Sequence, residues 1–211
     1  MRRILKKMLF SGILLFTLNA WSQTNTWKTE KTSDGKITVK SNVSERIDAI
    51  GNKLPLIEYV ATTTDNMNLH SCVDIMKNVS RHNEFLDLKI SEKVKTFSEN
   101  VWLNYYVFNS PWPFPSTDCV VKVTYSEDPN AKIAVFTMTA APDLMKQTNL
   151  KRFTYYNLTY AFKDIGNGRI EAIVTAKIGL TVGVPLWMLR SSFPGSASDP
   201  LQKLVKIIKE K

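Results

Sequence analysis

Two histidines and two cysteines, His70, His82, Cys72 and Cys119, are the whole supply of side chains that ligate metals or attack carbonyls near neutral pH. A zinc site needs such residues clustered at short fixed spacing, and neither HExxH nor CxxC occurs. Both histidines are therefore expected at the surface or at helix caps. Cys72 shares an apolar helix face with Leu69, Val73 and Met76, and Cys119 opens a strand. Two buried free thiols are the favoured reading, with a disulfide as the alternative for an exported chain. No serine stands in a GxSxG elbow, and Gly166-Asn167-Gly168 is too short to cradle phosphate and reads as a hairpin turn. Among strand carboxylates, Asp118 and Glu171 stand out. Acid–base chemistry would need one of them to meet Tyr105, Tyr125 or Tyr155 inside a pocket. Asp118 has two readings: a loop-end carboxylate held by backbone amides, or a buried one paired with Arg152, because a lone buried charge is costly. The expectation is no catalytic residue, no metal and no cofactor.

The elements that would position these groups begin after a leader. Residues 1–22 have a basic start, an apolar run from Met8 to Leu18, and small residues at Ala20 and Ser22, the three zones of a secretory signal peptide. The run of about 11 residues is shorter than the roughly 20 a spanning helix needs. The expectation is export, to a periplasm or outside the cell, with residues 23–211 as one domain. A helical turn is expected near Trp27, then strands at Ile37–Ser41 and Leu56–Thr62. A helix capped by Asp65 or Asn66 and a short one from Ser80 to Phe85 should follow.

From Asp87 the period changes to two. Segments at Lys89–Phe97, Val101–Phe108, Cys119–Tyr125, Lys132–Ala140, Phe153–Phe162 and Arg169–Gly179 describe an antiparallel meander. Several are bulky on both faces, so apolar material should lie on each side of the sheet. Asp199 and Pro200 read as the start of a terminal helix of about 11 residues, with Leu201, Leu204, Val205 and Ile208 as its stripe. So short a helix is marginal alone and must dock that stripe. The fold class expected is α+β. The leader takes four of the 28 Lys and Arg and no carboxylate, leaving a net +5. The basic residues form no stripe and no nucleic-acid motif is present, so nucleic acid is not an expected partner; weak attraction to anionic headgroups is. A monomer is expected.

The segment Asn109-Ser-Pro-Trp-Pro-Phe-Pro-Ser-Thr-Asp118 must be a loop, because its three prolines can neither pair in a sheet nor continue a helix. Pro111-Trp112-Pro113-Phe114 with the downstream Asp118 resembles the Pro-Trp-Pro loop of START lipid-transfer domains. Gly183-Val-Pro-Leu-Trp187 is similar to the segment that leads into that family's last helix. Thr117 stands where the family often has Arg, so the charge pair expected there cannot form in the usual way.

The resemblance implies a helix-grip fold, a curved antiparallel sheet wrapped around a long C-terminal helix, enclosing a cavity for a lipid or other hydrophobic small molecule. The cavity residues expected are Tyr105, Val107, Tyr125, Phe136, Met138, Tyr155 and Trp187, with Leu201, Leu204 and Ile208 from the helix. Pro111, Trp112, Pro113 and Phe114 would form the gate, or Trp112 would pack beneath its own loop. A one-residue slip of register exchanges the two faces of any strand. The alternatives are a cyclase-like enzyme of the same superfold and a structural module whose cavity is filled by its own side chains.

Overall fold

The computed structural model describes residues 27–110 and 114–210. The meander expected from Asp87 onward is present as β4 (Leu88–Ser98), β5 (Val101–Phe108), β6 (Thr117–Asp128), β7 (Ile133–Ala140), β9 (Tyr155–Asp164) and β10 (Arg169–Gly179), with a two-residue β8 (Lys151–Arg152) beside β6. Upstream lie β2 (Ile37–Ile47) and β3 (Lys53–Asn66), and the expected helical turn near Trp27 is instead a strand, β1 (Lys28–Lys31). These strands form one curved sheet in the order β1-β2-β3-β10-β9-β7-β6-β5-β4, antiparallel except for β8. The Gly166-Asn167-Gly168 turn joins β9 to β10, all three residues having positive φ, which glycine adopts without strain and Asn tolerates. Strand β10 then pairs back onto β3 along eleven positions, from Arg169 opposite Asn66 to Gly179 opposite Leu56. Strand β4, at one border, pairs with β5 through three register shifts.

Between β3 and β4 lie α1 (Leu69–Lys77) and a 3₁₀ segment at Val79–Glu84. The cap of α1 is Asn68, not Asp65 or Asn66: its side chain accepts from the backbone N–H of His70 at 2.8 Å and of Ser71 at 3.3 Å. Strand β3 runs on through Asn66, and Met67 buries its side chain, which delays the helix. After β10 come α2 (Leu186–Ser191) and α3 (Gly195–Lys209).

The terminal helix starts four residues before Asp199, so Asp199 and Pro200 do not open it. Pro200 lies inside, where it cannot bond the carbonyl of Ser196. The extra turn is held by docking: Phe193 and Ala197 are buried and continue the stripe of Leu201, Leu204, Val205 and Ile208. Each large aliphatic residue so buried contributes about 1.5–3 kcal/mol. Helix α3 covers β2 and β3, while α1 covers β7 and β9 and touches α3. The main core lies between these helices and the inner face of the sheet.

Candidate functional site

Cross-strand register defines the inner face row by row. One row runs Trp102, Val123, Met138, Leu158, Ala176, Tyr59, Ser41; another runs Tyr125, Phe136, Tyr160, Val174, Ala61, Val39. Tyr106 and Cys119 form a third pair, and Tyr156 lies opposite Ile178. With Leu201, Leu204 and Ile208 of α3, these side chains, apart from the buried Ser41, belong to the main buried cluster or pack directly against it. Small residues at Ala61, Ala134, Ala172 and Ala176 let the helices approach the sheet.

Of the ten cavity residues expected, Tyr125, Phe136, Met138, Leu201, Leu204 and Ile208 share this inner space. Tyr125 and Phe136 stack at 4.7 Å, the Lys77 ammonium lies 4.2 Å from the Tyr125 ring, and the Tyr125 hydroxyl bonds Glu127. The other four are elsewhere. Tyr105 and Val107 point to the opposite face, where with Leu103 and Val120 they form a second small core under Ala141, Met145 and Leu150. Tyr155 is also on that face, with the Arg46 guanidinium 5.4 Å from its ring. Gly179 makes room for that guanidinium, since a Cβ there would lie 2.0 Å from Arg46 Nε. Trp187 stands on α2 and is 68% exposed. The correction is one of phase: in β5 and β9 the neighbouring residues Tyr106 and Tyr156 hold the inner positions. Pro111, Trp112, Pro113 and the leader lie outside the described residues; Phe114 is half-buried.

Asp118 and Arg152 are buried together on the outer face. Arg152 donates from Nε to Oδ1 at 3.1 Å and from Nη2 to Oδ2 at 2.8 Å, and also bonds the carbonyls of Pro142, Met145 and Lys146. Burial disfavours the carboxylate charge, but donors from Arg152, Thr148 and Tyr105 outweigh it and hold Asp118 below the ordinary range. The pair clips the segment between β7 and β9 onto the sheet. The Tyr105 hydroxyl reaches Asp118 at 3.3 Å on this outer side, whereas among the inner-face residues it is Tyr125 that bonds a carboxylate, that of Glu127. Glu171 is half-buried on β10, out of phase with Ile170 and Ala172, which face inward.

His82 was expected at the surface and is instead fully buried, while His70 is exposed beside Asp74. His82 Nε2 lies 3.0 Å from the Met76 carbonyl, which can only accept, so Nε2 carries the proton. Nδ1 therefore accepts from the Tyr106 hydroxyl at 2.8 Å, and the Tyr106 oxygen accepts from Asn104 Nδ2 at 2.7 Å. Burial drives the imidazole pKa down to about 4, so this chain of bonds is neutral. Around it lie Tyr59, Tyr156 and Tyr160. Burial pushes Tyr59 up to about 12 and the other two well above the usual phenol value. Cys72 and Cys119 are free and buried; burial raises Cys72 to about 12 and Cys119 further, so neither supplies a thiolate nucleophile.

Register also puts the connections at defined ends. The loop between β5 and β6, the β7–β9 segment, the β2–β3 turn and the stretch from Leu180 to α2 all leave from one end of the sheet. That end exposes Ile47 (70%), Ile50 (84%), Trp187 and Met188, and Arg190 of α2 donates to the Val43 carbonyl at 3.0 Å. At the other end a hollow of about 460 Å³ between β2, β3 and the tip of α3 is bordered by Asp34, Lys36, Asp65, Lys206 and Lys209, together with Ile37 and Val205.

No family model matches this sequence, and no curated protein matches it. Solved structures do. A STAR-related lipid transfer protein from Xanthomonas axonopodis superposes with a TM-score of 0.72 at 16% identity, covering 87% of this chain and 98% of that one. The lipid transfer and protein localization domain of human StarD13 (DLC2) gives 0.67 at 18% identity, covering 87% and 89%. Human StAR-related lipid transfer protein 5 gives 0.66 at 13% identity, covering 90% and 89%. At such identities the likeness concerns the backbone: the chain has a START-like helix-grip fold over nearly all its described length.

Proposed function

We propose that this protein binds one lipid or similar hydrophobic molecule between the inner face of the sheet and helices α1 and α3, and releases it without altering it. The observation that carries the reading is the START-like fold, matched over 87% of the chain to domains described as lipid-transfer proteins. The inner face agrees with it: aliphatic and aromatic side chains dominate, and each methylene removed from water there contributes about 0.8 kcal/mol. A non-catalytic role is favoured because the buried Asp118, Arg152 and Tyr105 group lies on the other side of the sheet.

The ligand would enter at the end that carries the β5–β6 loop and α2, with displacement of that loop or of α3 opening the way. Ile47, Ile50, Trp187 and Met188, exposed there near Arg46, Lys53 and Arg190, suit transient contact with an anionic membrane surface. With the leader at residues 1–22, the site of action would be the periplasm or the cell exterior. Native mass spectrometry and solvent extraction of the purified protein test the reading. A co-purifying lipid, or saturable uptake of Nile red displaced by lipids, is the expected result. A protein that carries nothing and takes up neither dye nor any lipid overturns it.

A further inference from the structure

The Arg46 side chain, at the loop end, is held in place without an anion. Register puts Arg46 opposite Leu54 on the outer face, beside the row in which Ser44, Leu56, Gly179 and Tyr155 stand level. Its guanidinium turns back onto that row, 5.4 Å from the Tyr155 ring, and passes so close over Gly179 that a Cβ there would lie 2.0 Å from Nε and 2.7 Å from Cζ. Nε is buried in this slot with no hydrogen-bond partner. No acceptor among the described residues bonds the two Nη nitrogens either, and they form the open edge of a half-buried side chain. The neighbouring carboxylates are engaged elsewhere. Asp48 accepts from the backbone N–H groups of Ile50 and Asn52 and from the Asn52 amide, and Glu58 pairs with Lys177 at 3.0 Å.

A ring on one side and a glycine beneath fix the plane of this guanidinium before anything binds, so its N–H fork is presented with little rotamer entropy left to lose. Such a fork meets two oxygens of a phosphate at once, whereas an ammonium acts only as a point charge. The surroundings indicate where the phosphate comes from. Ile47 follows Arg46 in the chain and is exposed, Ile50 is exposed in the turn beyond it, and Lys53 stands opposite Ile47. An apolar tip beside a cationic fork fits the boundary of a bilayer, with the tip among acyl chains and the fork at headgroup level; a free phosphate ion would gain nothing from the apolar neighbours. Resting on the membrane contact read above, we propose that Arg46, preset by Gly179 and Tyr155, clamps the phosphate of a phospholipid headgroup and thereby orients the loop end on the membrane.

Two variants that keep every charge test this. Gly179→Ala fills the slot; the atoms it meets are the flexible end of Arg46, so the protein should fold with the guanidinium displaced. Arg46→Lys keeps the cation and loses the fork. Co-sedimentation of the purified protein with vesicles of phosphatidylcholine and phosphatidylglycerol should show association weakened about five- to ten-fold in each variant, the scale of one charge-assisted hydrogen bond at a surface. Variants that bind the vesicles like the parent show that net charge alone governs and overturn the proposal. So does a parent melting temperature that rises with glycerol 3-phosphate at constant ionic strength and no longer does so in Arg46→Lys, if that variant still binds vesicles like the parent: the fork then serves a free phosphate. Nile red uptake should be equal in all three proteins, and its absence from the parent overturns lipid binding in the inner space while leaving the clamp standing. A parent that ignores the vesicles altogether overturns the clamp and the membrane contact together.

Discussion

At the scale of single residues, His82 ties the local packing to pH. An unfolded histidine titrates near 6.5 and this one near 4, because burial opposes its charge, with Lys93 adding to the effect. Between those values the unfolded chain takes up a proton that the folded chain refuses. Stability should therefore be constant from this source above about pH 6.5 and fall as pH drops toward 4, by roughly 3 kcal/mol in all. Urea midpoints at intervals from pH 7 to 4, compared with a His82→Leu variant that lacks this part of the slope, check it. Asp118 and Arg152 act in another way. Arg152→Met strands a buried carboxylate and should cost about 3–5 kcal/mol, whereas Asp118→Leu combined with Arg152→Met should recover much of that loss. Thermal melts of the single and double variants separate a paired charge from mere packing.

At the scale of elements, α3 is held by its stripe and not by its own sequence. Its fifteen residues include Pro200 and its cap residue Pro194 makes no side-chain hydrogen bond, so Leu204→Ala should lower stability by about 2–5 kcal/mol. Hydrogen exchange should show α3 amides losing protection first. The strand set from β4 to β10 was legible because β6, β7 and β10 alternate cleanly, and in β6 and β7 that alternation also assigned Tyr125, Phe136 and Met138 to the inner face. Strand β5 was not legible in this respect, since the 141–150 segment covers its outer side and makes Leu103, Tyr105 and Val107 as apolar as Trp102 and Tyr106. In β9 the signal was present: Tyr156, Leu158, Tyr160 and Phe162 alternate with Asn157, Thr159 and Lys163, which places Tyr155 outside. His82 gave no such sign, because its burial depends on Tyr106, which no local pattern connects to it. The early start of α3 was hidden for a similar reason: Asp199-Pro200 is a good local start signal, overridden by the docking of Phe193 and Ala197.

At the scale of the whole molecule, the loop end and the opposite end differ in character, one exposing Ile47, Ile50 and Trp187, the other bordered by Asp34, Lys36, Asp65, Lys206 and Lys209. Association with phosphatidylglycerol-containing vesicles should fall several-fold for Trp187→Ser combined with Ile50→Asp, and remain unchanged for Lys206→Gln at the far end; co-sedimentation measures both. The borders of the sheet have a consequence of their own. Strand β1 is four residues long, and β4 interrupts its ladder three times and carries Lys89, Lys93 and Lys95. A neighbouring copy that tried to lengthen the sheet would meet broken spacing and like charge where it needs an unbroken row of amides. Growth into fibrils through either border of the sheet is thereby disfavoured.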